Sequence, residues 1–318
     1  MTNDIPAELR AILNHQNGVV TRAQALAAGL TDSAIKVRLG SGRWRRIHLG
    51  VYASFSGQPD RAARFWAAVL RAGPGAALSH QTAGELQGLV ADVPLLIHVS
   101  VPSGSRVARP QGVVVHYSQR LGQARHPVLE PPRTRIEETV LGMAQCAASA
   151  DAAVGWVFAA CGSRRTTPDH IAAAMSRRPR IRWRSALSMA VGLGEEGVHS
   201  LLEFRYVNDV ERAHGLPTGR RQRAVMRGGR RQYQDVEYEA FHVVVELDGR
   251  AAHPEGTRWA DVRRDNANAA VGQITLRYGW PDVTERRCLT AHEVGSTLHK
   301  RGWEGALRRC GLACQLPG

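Results

Sequence analysis

The sequence predicts a mixed α+β fold in three regions, and three observations carry that expectation. Residues 1–55 repeat the signals of short capped helices and then change to an alternating hairpin. Residues 56–190 mix helical stretches with two apolar alternating strands, a central α/β region. Residues 191–318 read as helix, three strands, helix, strand, an αβββαβ order.

In the first region "PAELRAILNHQ" has apolar residues at helical spacing, with Pro6 at its first turn. "TRAQALAAG" offers Thr21 as an N-cap and Gly29 as a stop. "TDSAIKVRLGSG" repeats that grammar, with Thr31 or Asp32 capping and Gly40 ending the helix. "GRWRRIHLGVYA" alternates around a glycine turn, as a two-stranded wing does. Two helices separated by "AGLT" follow the pattern of a helix-turn-helix, whose second helix enters the DNA major groove. On that helix Ser33, Lys36 and Arg38 are the candidates for base-edge or phosphate contacts. Arg43, Arg45 and Arg46 around Trp44 are the wing's candidates for phosphate. The plainer alternative is a small helical domain whose basic residues are merely solvated.

In the second region "RAARFWAAVLRAG" is a helix, followed by "AALSHQTAGELQGL" and the strands "LLIHVSVP" and "GVVVHYSQ". Another helical stretch surrounds "RIEETVLGMAQCAASA", and the basic "SRRPRIRWRSA" suits a linker or a helix with an exposed face. The third region starts with a helix at about 196–213. The strands "RRQRAVM", "RQYQDVEYE" and "FHVVVEL" come next, then the helix "WADVRRDNANAAV", the strand "ITLRYGW" and a last helix near "AHEVGSTLHKRG". A meander followed by a crossover helix predicts a mixed sheet with helices packed on it.

Composition narrows the function. Among 318 residues the hydrophobic share of 43% is ordinary, and no run of about 18 apolar residues suggests a membrane span. "MTNDIPAELR" lacks the pattern of a secretory signal, so a cytoplasmic protein is expected. The net charge of +14 rests on arginine, Lys36 and Lys300 being the only lysines. Such an excess attracts polyanions, which makes nucleic acid the leading partner over a basic protein without such a ligand. Five cysteines form no paired framework. Cys310 and Cys314 resemble half a metal site, but no second Cys/His pair at ligand spacing stands beside them, so the expectation is a reduced, packed helix.

The chemistry concentrates in "VVVELDGRAAH", residues 243–253. Glu246 and Asp248 point the same way at the end of a strand whose valines belong inside. Asp235 lies on the preceding strand, where a hairpin brings it close to Glu246, and Glu203 lies on the helix before the sheet. Four converging carboxylates repel one another unless a cation joins them. Mg²⁺ prefers such hard oxygen ligands, with Asp235, Glu246 and Asp248 as the expected metal set. It activates water and stabilises charge developing on a phosphodiester. His253 is the candidate general base or water-positioning group. From Arg212 to Arg231 run seven arginines and no acidic residue, read as phosphate contacts beside the metal or as a solvated loop. Taken singly, each carboxylate also has an ordinary structural reading: a turn at Asp248-Gly249, or ion pairs on a solvated helix.

Two resemblances extend these readings. "GVVTRAQALAAGLTDSAIKVRLGSGRWRRIHLGVYA" resembles the winged N-terminal domain of AbiEi-type antitoxins, and the likeness continues more loosely through "LSHQTAGELQGL" and "LLIHVSVP". It covers roughly the first 150 residues and implies an autorepressor of a toxin–antitoxin operon, with a cognate toxin as partner. "LLEFRY", "RRQYQDVEYEAFHVVVELDGRAAH", "ADVRRDN" and "ITLRYGWPDV" resemble a bacterial domain family related to very-short-patch-repair (Vsr) endonucleases, within the PD-(D/E)XK superfamily. That resemblance implies a restriction-endonuclease-like core, with Glu203, Asp235, Glu246, Asp248 and His253 as active site. Asp261, Arg264, Asp265 and Arg277 are implied as its frame. Asp248 stands where the wider superfamily has lysine, as in the Vsr-like branch, and "RAA" makes the turn before His253 one residue longer than the family pattern.

The expectation is therefore a DNA-binding protein with a metal-dependent endonuclease-like C-terminal domain. The alternatives are a repressor of the antitoxin kind whose C-terminal domain does not catalyse, and a toxin-neutralising module that binds DNA only to regulate itself.

Overall fold

The computed structural model describes residues 5–108, 110–227, 230–248, 266 and 268–317. They form a mixed α/β structure with three small sheets. The chain divides into two compact units: Met1–Ala148 with Ala173–Arg182, and Ser149–Ala172 with Trp183–Gly318. The region expected at 56–190 is thus shared between them. Helices Ala150–Gly162 and Arg184–Glu195 belong to the second unit, where Val154, Phe158, Ala190 and Leu193 join its core.

In the first unit the capping grammar of the sequence is realised. Thr21 begins the helix Arg22–Ala27 with a full capping box to Gln24, and Thr31 accepts from the Ala34 amide to start Asp32–Gly40. Gly29 between them has φ +91°, a conformation that favours glycine. β1 (Val19–Thr21), β2 (Arg45–His48) and β3 (Val51–Ala53) pair antiparallel in the order β1-β3-β2. Leu9, Leu13, Val20, Ile35, Trp44 and Tyr52 close the core beneath the helices. After the helix Arg61–Ala72, β4 (Ala77–Leu78) runs antiparallel to β5 (Ile97–Pro102), which is parallel to β6 (Val113–Ser118).

In the second unit β7 (Arg220–Arg227), β8 (Arg230–Tyr238) and β9 (Val243–Leu247) form the expected meander, and β10 (Ile274–Tyr278) lies parallel to β9. The sheet is mixed, as its element order requires. Val243, Val244 and Val245 are fully buried, worth about 2 kcal/mol apiece in transfer free energy. The leading helix differs from expectation. It begins at Leu201 behind a Ser200 N-cap, then widens into a π-helical turn over Tyr206–Arg212. That turn carries Glu211 inward, where the carboxylate accepts from Arg221, from the Tyr238 hydroxyl at 2.9 Å and from the Gly219 amide at 3.3 Å. A Cβ on Gly219 would stand 2.5 Å from the Val236 side chain, so this close approach needs glycine.

Cys310 and Cys314 correct the sequence reading. They lie on no helix but in an irregular tail after Lys300, and Cys288 and His214 stand beside them. These two neighbours come from distant parts of the chain, where no local spacing reveals them. Among the described residues no helix is long and apolar enough to cross a membrane.

Candidate functional site

The carboxylates gather at the exit of β9. The antiparallel ladder ends at Val236 opposite Val245, and just beyond it the Asp235 carboxylate reaches the Leu247 amide, next to Glu246. Asp248, two residues beyond Glu246, returns to the same side as Glu246, and its amide donates to the Tyr278 carbonyl at 3.0 Å. Parallel pairing sets Arg277 beside Glu246, with the Arg277 guanidinium 3.5 Å from both Asp248 oxygens.

Asp235 is held firmly. One carboxylate oxygen accepts from the Leu247 amide at 2.8 Å and the other from the Gln222 side chain at 3.2 Å. Burial raises its pKa above the ordinary aspartate value. The Leu247 hydrogen bond acts against that, and the charges of Glu203 and Asp248 push it further up. Both of those carboxylates are therefore within electrostatic reach of Asp235. Glu246 and Glu203 are buried, at 5% and 6% exposure, which sharpens the cost of concentrating like charge. Glu203 also does local work: its oxygens accept from the Ser200 hydroxyl at 2.8 Å and the His199 amide at 3.0 Å, closing the first turn of its helix.

The donor set, carboxylate oxygens with a raised pKa among them, fits a hard divalent cation such as Mg²⁺. It is nonetheless an open set. Among the described residues only two groups of three or more His, Cys, Asp or Glu side chains bring their ligand atoms within 4.8 Å of one another, and these carboxylates form neither. His253, Asp261, Arg264 and Asp265 lie outside the described residues.

The three arginines of the arginine-rich stretch whose side chains are described have different surroundings. Arg221 is a buried ion-pair partner of Glu211, so it belongs to the framework. Arg212 pairs with Glu196 at 2.7 Å and Arg220 with Glu239 at 2.6 Å, both in solvent. The side chains of Arg223, Arg227, Arg230 and Arg231 lie outside the described residues.

In the first unit Ser33 and Lys36 are exposed on the helix Asp32–Gly40. Arg38 is turned inward instead: it donates to the Ala34 carbonyl at 3.2 Å and stacks over Trp44 at 5.9 Å. Arg43 and Arg46 are exposed, while Arg45 is half-buried and donates to the Gly57 carbonyl at 3.3 Å. Arg45, Arg46, Arg61 and Arg64 line a cavity of about 600 Å³ that the sequence did not bring together; Arg61 is paired there with Glu85, and burial, with Arg71 adding to it, lowers the pKa of the neighbouring His48.

A histidine cluster was also invisible in the sequence. His80, His98 and His116 converge in this unit, His98 Nδ1 lying 3.0 Å from His116 Nε2. Burial holds all three below the usual histidine pKa, with neighbouring imidazoles adding to the effect at His80, about 3, and His116, about 4. His80 stacks on His116 with centroids 3.7 Å apart and planes 17° from parallel. Ring lone pairs lie in the ring plane, so stacked rings do not aim them at a common point, and the His98–His116 hydrogen bond occupies a further one. This arrangement suits neutral packed imidazoles better than a metal triad.

Comparison of the sequence with models of protein families and with curated proteins gives no match.

Proposed function

We propose that this chain is a DNA-binding protein whose C-terminal unit is a divalent-cation-dependent endonuclease. Residues 1–55 act as a winged helix-turn-helix reader and the mixed sheet as a restriction-endonuclease-like core. The observation that carries the proposal is the Asp235 carboxylate bound to the Leu247 amide beside Glu246, with Glu203 and Asp248 close enough to raise the Asp235 pKa. Asp235, Glu246 and Asp248 would hold the cation, which supplies activated water and charge stabilisation at the phosphodiester. The chain's own contribution is orientation. The Leu247 amide fixes Asp235, and Arg277 steadies Asp248 until the cation competes for it. Ser33, Lys36, Arg43 and Arg46 would meet DNA. Arg38 supports that surface through Trp44, and Arg45 faces the basic cavity.

One observation favours a second reading, a repressor of the AbiEi antitoxin kind with a toxin as partner and a non-catalytic C-terminal unit. The carboxylates are spread wider than a closed ligand set, and Glu203 is already used as a cap.

Incubating purified protein with plasmid and Mg²⁺ or Mn²⁺ tests the choice. Nicking or cutting that Asp235→Ala and Glu246→Ala abolish supports the nuclease; equal, background-level product from all three proteins leaves the repressor. Binding is read separately, by gel shift on the promoter of the protein's own operon. Arg46→Ala should weaken binding and lower the salt slope by roughly one. An unchanged slope removes the wing from the interface.

A further inference from the structure

Four side chains from three distant stretches of sequence meet inside the second unit. His214 follows the π-helical turn, Cys288 opens the helix Arg287–Lys300, and Cys310 and Cys314 belong to the tail. Their ligand atoms all lie within 4.8 Å of one another. Cys288 Sγ is 3.8 Å from Cys310 Sγ and 3.7 Å from Cys314 Sγ, and Cys314 Sγ is 3.8 Å from His214 Nε2.

These distances separate the possible roles. A disulfide needs about 2.05 Å between sulfurs, so no pair here is bonded. Ligands at the corners of a tetrahedron around zinc, with Zn–S near 2.3 Å, stand roughly 3.8 Å apart. The observed spacings are that tetrahedral edge. The histidine is also prepared as a ligand. His214 is fully buried and its Nδ1 is 3.0 Å from the Val210 carbonyl, which can only accept, so Nδ1 carries the proton and Nε2 turns its lone pair toward Cys314. Metal-bound histidines are oriented by such a bond on the other nitrogen.

We propose that His214, Cys288, Cys310 and Cys314 form a structural zinc site that fastens the C-terminal tail to the second unit. Three thiolates and an imidazole select a soft or borderline metal over Mg²⁺. Four protein ligands, three of them buried, leave no open position for substrate, the mark of a structural site. The tail has need of such a clamp. Residues 301–317 contain neither helix nor strand; Trp303 and Leu307 pack at the core edge, Trp303 stacks on His299, the Gly305 carbonyl meets His299 Nε2 at 2.7 Å, and the Arg308 amide and guanidinium donate to the His214 and Arg212 carbonyls. Ligation ties that segment to two helical segments at a single point.

The test uses the full chain, purified from zinc-supplemented medium without chelators. Elemental analysis should find about one zinc per chain. Replacement by Co²⁺ should give the intense visible bands and thiolate-to-metal charge transfer of a tetrahedral S₃N site. Cys314→Ser should lose the zinc and those bands, whereas the Cys146→Ser/Cys161→Ser double variant, altered outside the cluster, should keep both. If Cys314→Ser does not fold, the cobalt spectrum of the unaltered chain decides. Protein with no zinc and no tetrahedral cobalt bands, or with zinc that the Cys146→Ser/Cys161→Ser variant loses, overturns the proposal.

Discussion

Two donor clusters in the C-terminal unit are built on opposite terms. At the exit of β9 the donors are hard carboxylate oxygens, spread wider than a closed ligand set, with Asp235, Glu203 and Asp248 tied to the protein by contacts of their own. Around His214 the donors are soft sulfurs and a buried imidazole, already at the spacing of a tetrahedron. An open, charged set suits an ion that exchanges and leaves room for substrate. A closed, thiolate-rich set suits one that stays and holds the chain together. The difference teaches that spacing, more than burial or the presence of ligand-type residues, distinguishes the two clusters, since Glu203 and Glu246 are buried like three of the four sulfur and imidazole donors. The histidine cluster of the other unit adds orientation: its nitrogens are close, but its rings are stacked.

The comparison breaks most sharply under mutation of the open site. Asp235→Ala should lower Mg²⁺-dependent plasmid cutting at least ~100-fold, since cation catalysis supplies several kcal/mol and 1.36 kcal/mol is tenfold in rate. The same variant should keep its full zinc content by elemental analysis; losing both would mean that the clusters are not independent. Glu211→Ala should act on the framework instead. It strands the buried Arg221 guanidinium and removes the acceptor of the Tyr238 hydroxyl, a loss of about 3–5 kcal/mol in denaturant unfolding. A loss below about 1 kcal/mol would show that the pair is not buried in solution.

Metal removal gives a third contrast. A mild chelator should stop cutting at once, whereas a thiol-directed mercurial should release zinc and open residues 301–317 to protease, read by mass spectrometry of the fragments. Protection that survives zinc release would assign the tail's order to its packing and hydrogen bonds, such as Trp303, Leu307 and Arg308. The smallest effect concerns charge. The Asp235 pKa is raised by folding, so the stability this group contributes is full below the ordinary aspartate value and is lost as pH rises through the raised one. Asp235→Asn should therefore raise the melting temperature of the cation-free protein at neutral pH, on the order of 2 °C. The gain should vanish near about pH 3, where both side chains are neutral. A lower melting temperature at neutral pH would mean that the Leu247 and Gln222 hydrogen bonds outweigh the repulsion.

By itself the sequence determined what depends on near neighbours. Thr21 and Thr31 cap their helices because the amide that each accepts from lies three residues ahead. The three-strand meander and the approach of Asp235 to the end of β9 follow from strand alternation and a short connection, so this part of the carboxylate group was legible before the fold, while the crossover helix expected at "WADVRRDNANAAV" lies largely outside the described residues. The tertiary structure alone decided the rest. His214 and Cys314 lie 100 residues apart and meet only because the tail returns across the second unit. Arg221 looked like a phosphate contact until the π-helical turn brought Glu211 against it, and Arg38 until Trp44 was found beneath it. His98 and His116 meet through the parallel pairing of β5 with β6. Local signals record the torsional and hydrogen-bonding preferences of a few consecutive residues. Which side chains become partners across the chain is fixed by packing, which brings distant groups within bonding distance only once the core has closed.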